Sequence, residues 1–166
     1  MARIVAGDRS AFDVFVHRHL PAIHAYASRL TGSRHDADDV AQDTFLKVWQ
    51  KAGSYKAGRV KVSTWLHTIA HNTCIDALRK RKPSEPIEHH EPSSSQGAGD
   101  DTHVLERLIS RLPVNQRTAV ALCLLGGHST REAAHITGSS PRAVESLISR
   151  ARRSLREAFR EATHEQ

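Results

Sequence analysis

The sequence predicts an all-α fold of two small helical domains, an N-terminal helical bundle and a C-terminal helix-turn-helix bundle, joined by a flexible linker. Three observations carry this expectation. Apolar residues recur at three- and four-residue spacing along most of the 166 residues, whereas β-branched residues are scattered and no segment alternates for more than a few positions. Charge falls in blocks: residues 1–82 carry 14 Lys/Arg against 7 Asp/Glu, residues 83–103 none against 5, and residues 104–166 10 against 6. The middle block, which contains Pro92-Ser93-Ser94-Ser95, has no apolar periodicity. It reads as an acidic linker over 83–103 between domains at 1–82 and 104–166.

In chain order, Asp8 can cap a first helix whose Phe12, Phe15 and Val16 face inward. Pro21 suits the first turn of a second helix running through Ile23, Tyr26, Ala27 and Leu30 to a stop at Thr31-Gly32. Ser33 followed by Asp36 suggests the cap of a third helix, whose early acids suit the positive end of its dipole. At about 100° per residue, Ala37, Val40, Ala41, Thr44, Phe45 and Val48 of that helix form one continuous stripe. Leu46 falls on the far side among Asp39, Gln42, Asp43 and Gln50, with Trp49 at its edge. A large aliphatic group ringed by carboxylates and an amide is the composition of a protein-docking face. A single exposed Leu on a solvated acidic face is the other reading, and geometry alone leaves both open.

Residues 53–61 form a loop by composition, with Lys56, Arg59 and Lys61 around Tyr55. The helix predicted over 63–82 has a core face of Leu66, Ile69, Ala70, Thr73 and Ala77. Trp65, Thr68, Asn72, Asp76 and Arg79 gather beside it, and Arg79-Lys80-Arg81-Lys82 precede the stop at Pro83. An aromatic ring, an amide and cations on one side suit the unstacked bases and phosphates of a melted strand. His67 and His71 stand at i, i+4 but have no intervening Glu and no evident third ligand, so they read as solvated or DNA-facing rather than metal-binding. Cys74 and Cys123 lie in apolar surroundings of different blocks and read as buried free thiols.

The second block opens with Val104, Leu105, Leu108, Ile109 and Leu112, breaks at Pro113, and resumes from Arg117 to Leu125 before Gly126-Gly127. Ser129-x-x-Glu132 is a capping box, Ala133, Ala134 and Ile136 lead to a turn at Gly138, and Ser140-Pro141 starts another helix. Val144, Leu147, Ile148, Ala151 and Leu155 give that helix its inner face, and the whole is a helix-turn-helix pattern. Its outward set is Ser140, Arg142, Glu145, Ser146, Ser149, Arg150 and Arg153. Short polar groups near the helix start suit base edges, and cations further along suit phosphates.

Three stretches together resemble the small extracytoplasmic-function (ECF) subfamily, group IV, of bacterial sigma factors. They are Asp36-Ala-Asp-Asp-Val-Ala-Gln-Asp-Thr-Phe-Leu46, the helix with Trp65, Leu66, Ile69, Ala70, Asn72, Asp76 and Arg79 in register, and the block from Leu112-Pro113 and Arg117 to the basic tail at 150–156. The resemblance implies a sigma factor that docks on the clamp helices of core RNA polymerase through Asp39, Gln42, Asp43 and Leu46, with Trp49 beside them. It implies opening of the −10 promoter element by Trp65, Thr68, Asn72, Asp76, Arg79 and Lys80. Capture of a flipped base would fall to Tyr55, Lys56, Arg59 and Lys61, and reading of the −35 element to the helix-turn-helix. It also implies an anti-sigma factor as partner. Nothing in the chain resembles a nucleophile elbow, a phosphate-cradling Gly loop or a metal triad, so no cofactor, metal or covalent chemistry is expected. The chain departs from the family at His71, where Arg is usual, at Ser139, where an apolar residue is usual, and at Glu145-Ser146-Leu147, where many members read Lys-Ser-Arg.

A sequence pI near 9.8 suggests a polyanionic partner, and basic composition alone suits a ribosome- or membrane-associated protein equally well. The longest apolar runs, around 118–125, are too short for a bilayer, and no charged-then-apolar segment opens the chain, so a cytoplasmic protein is expected. One rival is a helix-turn-helix regulator whose N-terminal bundle senses or dimerises; such a bundle has no reason to carry the Leu46 patch or the Trp65/Asn72/Arg79 face. Another is a nuclease, but Asp36, Asp38, Asp39 and Asp43 are spread around their helix rather than clustered.

Overall fold

The computed structural model describes residues 1–81 and 100–164, and every regular element among them is helical. A single turn, α1 (Ala2–Val5), precedes the helices read from the sequence and buries Ile4. Asp8 caps α2 (Arg9–Thr31) by accepting from the Ala11 N–H, and Gly32 closes it in the left-handed region at φ 67°. Pro21 does not begin a second helix, as its position had suggested, but lies inside α2. It sits on an exposed side, so the backbone carbonyl left over by its missing N–H faces solvent rather than the core.

The Ser33 hydroxyl accepts from the Asp36 N–H and starts α3 (Arg34–Lys51), whose buried residues are the six of the expected stripe: Ala37, Val40, Ala41, Thr44, Phe45 and Val48. A 3-10 turn (Ala52–Ser54) and a loop lead to α4 (Val62–Lys80). Ile23, Leu30, Val40, Val48 and Leu66 are among the largest fully buried side chains of this three-helix bundle. A fully buried aliphatic side chain contributes about 1.5–3 kcal/mol, so these few residues are enough to fix the mutual angles of α2, α3 and α4. Just past α4, the Arg81 guanidinium donates to the Thr31 carbonyl at 2.9 Å and to the Asp36 carboxylate, tying the end of α4 to the corner between α2 and α3.

The expected linker at 83–103 falls mostly outside the described residues, but its last four positions are helical: α5 spans Asp100–Ser110. Acids that read as linker composition also suit the positive end of a helix. The next helix resumes at Val114 rather than Arg117, directly after Pro113, which stands as its N-cap. This α6 (Val114–Ala119) continues as a π-helical segment (Val120–Leu125). Gly126 ends it where a Cβ would stand 2.9 Å from the carbonyls of Ala121 and Leu122, so only glycine fits. The complete capping box of Ser129 and Glu132 starts α7 (Thr130–Thr137), Gly138 turns the chain at φ 66°, and α8 spans Pro141–His164.

The two bundles close against each other. α7 packs on α4, while α5 and α6 touch α2. One apolar cluster runs from Ile23 and Leu66 of the first bundle through Leu122, Ala133, Ile136 and Val144 of the second. Arg29 of α2 donates to Glu106 of α5 at 2.9 Å, and Lys61 pairs with Glu132 of α7 at 2.9 Å.

Candidate nucleic-acid and protein interfaces

With the α3 stripe buried, the rest of that helix must face outward. Leu46 is 55% exposed and Trp49 36%, and Asp39, Gln42 and Asp43 lie exposed beside them. Trp49 is held by an edge-to-face contact with Phe12 of α2, ring centroids 5.0 Å apart. The five residues expected to form a docking face thus share one surface, with an apolar centre and a carboxylate rim.

On α4, Asn72, Asp76, Arg79 and Lys80 are exposed, and Trp65 and Thr68 are half-buried. Trp65 leans on the main apolar cluster and meets the Tyr55 ring at 5.5 Å. The Tyr55 hydroxyl donates to the Val60 carbonyl at 3.1 Å, folding the loop back on the helix start, while Lys56 and Arg59 project from it exposed. Lys61 is drawn to Glu132 in this arrangement, an exposed ion pair of small intrinsic worth.

The two histidines of α4 are not the solvated side chains that their spacing suggested. His67 is 8% exposed, and its Nδ1 donates to the Ser63 carbonyl at 2.8 Å. His71 is half-buried and shares a 2.9 Å hydrogen bond between its Nδ1 and the Tyr26 hydroxyl. The reason is that α2 and α7 both press on α4, burying Thr64, His67 and Cys74 along with Leu66, Ala70 and Thr73 of the expected stripe, whose Ile69 and Ala77 are half-buried. Burial pushes the Cys74 thiol up to about 12; Cys123 is half-exposed rather than fully buried, and both are free thiols. Among the described residues no group of three or more His, Cys, Asp or Glu is placed to hold a metal, and no helix is long and apolar enough to cross a membrane.

In the second bundle Val144, Ile148 and Ala151 of α8 are buried and Leu147 and Leu155 half-buried. Ser140, Arg142, Glu145, Ser146, Ser149, Arg150 and Arg153 are all exposed, and the Ser140 hydroxyl caps the helix by accepting from the Ala143 N–H at 3.2 Å.

The Sigma-70 region 2 family matches residues 15–83 and the Sigma-70 region 4 family residues 102–155. The chain is 38% identical over 158 residues to the ECF RNA polymerase sigma factor SigM of Mycobacterium tuberculosis, covering 93% of this chain and 80% of that protein. It belongs to the ECF sigma factors of the sigma-70 family. The ECF sigma factor RpoE of Cereibacter sphaeroides is 31% identical over 148 residues, covering 85% of this chain and 82% of that protein. Among solved structures, the sigma factor RpoE of Bartonella quintana, in complex with the anti-sigma factor NepR, aligns with TM-score 0.81 at 30% identity over 90% of this chain and 97% of its own. CnrH, in complex with the cytosolic domain of CnrY, aligns with TM-score 0.72 at 30% identity, covering 97% and 94%.

The N-terminal bundle of this ECF sigma factor is therefore a region 2, not the sensing or dimerising bundle of the rival reading. Its region 4 also carries residues that the sequence pattern did not single out. Thr130 of α7 and Arg152 and Arg156 of α8 line an open groove with Glu145, Ile148 and Ser149. The signal was available, since 145, 149, 152 and 156 are spaced 4, 3 and 4 apart and share a helical stripe. Glu145 and Ser149 of that stripe belong to the expected outward set; Arg152 and Arg156 extend it by two turns.

Proposed function

We propose that this sigma factor, of group IV, binds core RNA polymerase, recognises a two-part promoter and melts its upstream edge, acting in a stress response as a cytoplasmic, non-enzymatic initiation factor. Residues 1–82 form the polymerase- and −10-binding module, residues 104–166 the −35 module. The observation that carries the reading is Leu46, an aliphatic side chain standing in solvent on a helix whose six core positions are all buried. Asp39, Gln42, Asp43, Leu46 and Trp49 meet the polymerase. Tyr55, Lys56, Arg59, Lys61, Trp65, Thr68, Asn72, Asp76, Arg79 and Lys80 hold the opened −10 strand. Ser140, Arg142, Glu145, Ser146, Ser149, Arg150 and Arg153 face the −35 duplex, with Arg152 and Arg156 reaching its phosphates. Because RpoE of Bartonella quintana is solved with an anti-sigma factor, a partner of that kind restrains this protein too. The test is transcription in vitro with core polymerase on the promoter upstream of the protein's own operon. Transcripts starting at one site only when the chain is added are expected; none above core polymerase alone overturns the reading.

Glu145 offers a sharper check on the −35 face. It is an exposed acid in a groove with two arginines, on a helix that must approach phosphates. An acid there lowers non-specific affinity and selects by accepting from a base, most simply a cytosine N4 amine, or by excluding other promoters. Glu145→Lys is expected to raise affinity for unrelated duplexes, steepen the salt dependence by about one phosphate contact, and change base preference at one −35 position. Unaltered salt slope and site preference in a randomised-site selection would place this face away from the groove.

A further inference from the structure

The two bundles meet through histidines. The His67 ring of α4 lies 4.5 Å, centroid to centroid, from that of His128, carried by the turn that leads into α7, and both side chains are buried. On its other side His67 packs edge-on against Tyr26 of α2 at 5.5 Å. The charged and titratable groups facing the pair are few. From α2 come Tyr26 and His19, the latter with Arg18 behind it; from the start of α4 comes Lys61; from α7 comes Glu132.

We propose that His67 and His128 form an acid-released latch, holding the two promoter-reading bundles closed at neutral pH and parting them as the rings gain protons. In the closed form both imidazoles meet edge to face, away from water, between α2, α4 and α7, where a proton on one ring sets a cation against the other. Among the described residues the carboxylate facing them is Glu132, which is engaged with Lys61 and with the N–H and hydroxyl of Ser129. Burial first, then His128 and His19, lower His67 to about 4 against the opposing effect of the Ser63 carbonyl; burial likewise lowers His128 and His19. Each ring thus binds its proton more weakly closed than open. The closed form is therefore most stable above the ordinary histidine value near 6.5 and loses stability as pH falls from there toward 4. Full release of His67 shifts the open-to-closed ratio by about tenfold between pH 7.5 and 5.5. The Lys61 bridge is not the sensitive part: the Ser129 N–H, Lys61 and the Ser129 hydroxyl hold the Glu132 carboxyl at about 2, so it stays charged across this range.

The consequence for transcription rests on the proposed function. Elements named −10 and −35 lie about 25 base pairs apart, roughly 85 Å of duplex at 3.4 Å per pair. Bundles in contact cannot span that distance, so opening must precede two-element binding. The latch itself is tested without DNA or polymerase, by small-angle X-ray scattering of the full chain at pH 7.5 and 5.5. The wild-type radius of gyration is expected to rise at pH 5.5. The double variant His67→Phe/His128→Phe, which keeps the aromatic packing but cannot take a proton, should stay compact at both. His128→Lys should be expanded at both, with helicity by circular dichroism retained; if it loses helicity, the Phe pair alone decides. A wild type equally compact at both pH values, or a Phe pair that expands with it, overturns the latch. Promoter-dependent transcription at pH 7.5 tests the sigma reading separately.

Discussion

Replacing Leu46 with Asp is expected to weaken binding to core RNA polymerase by about thirtyfold or more, the loss of roughly 2 kcal/mol that removal of a central apolar anchor commonly brings. The expectation depends on two separable facts. Leu46 contributes nothing to the stripe that packs α3 on its neighbours, so the substitution leaves the core intact. It is also the apolar centre of a polar ring, where an added carboxylate would be desolvated on docking without a partner. The melting temperature should therefore stay close to that of the wild type while polymerase affinity, followed by fluorescence anisotropy of labelled sigma factor, collapses. Binding of the isolated protein to promoter duplex should not change. A variant that unfolds would place Leu46 in the core and remove the argument for docking.

Trp65→Ala should have the second-largest effect, and the structure separates it into two parts. The ring is half-buried against the main apolar cluster, so its loss destabilises the bundle by about 1–2 kcal/mol, below the range for a fully buried Trp. The exposed remainder, beside Tyr55, is the proposed stacking platform, and each stacked base is worth roughly 1–3 kcal/mol, or about 5- to 150-fold in open-complex formation. The thermal shift measures the first part. Open complexes on a duplex promoter compared with a template carrying a pre-opened bubble measure the second, because stacking that drives melting matters less once the strands are apart. Equal loss on both templates would assign Trp65 wholly to packing.

The elements easiest to read were those whose local signals agree with their packing. The α3 stripe was legible because six apolar or small residues at helical spacing all face α2 and α4 of the same bundle, and Leu46 breaks the pattern. The start of α7 was legible because a capping box is a local device, and both of its hydrogen bonds are made. Pro21 misled because proline marks a helix start only statistically, and on a solvent-facing side a long helix tolerates it. His67 and His71 misled for a different reason. A wheel drawn for one helix assumes one partner surface, whereas α4 has two, and the flank covered by α7 belongs to a part of the chain about sixty residues away. Contacts of that kind leave no periodic trace in either helix.

Arg81 has a mechanical meaning. It is the last described residue before the stretch leading to α5, and it grips both the carbonyl end of α2 and the first turn of α3. On the proposed opening of the latch, a pull on the backbone beyond Arg81 is taken up at that corner, by two helices anchored in the bundle. It does not reach the final turn of α4 as a peeling force. Arg81 thus acts as a cleat at the end of α4, fixing to the bundle the bearing of Arg79 and Lys80, two and one residues inboard, which are proposed to face the opened strand.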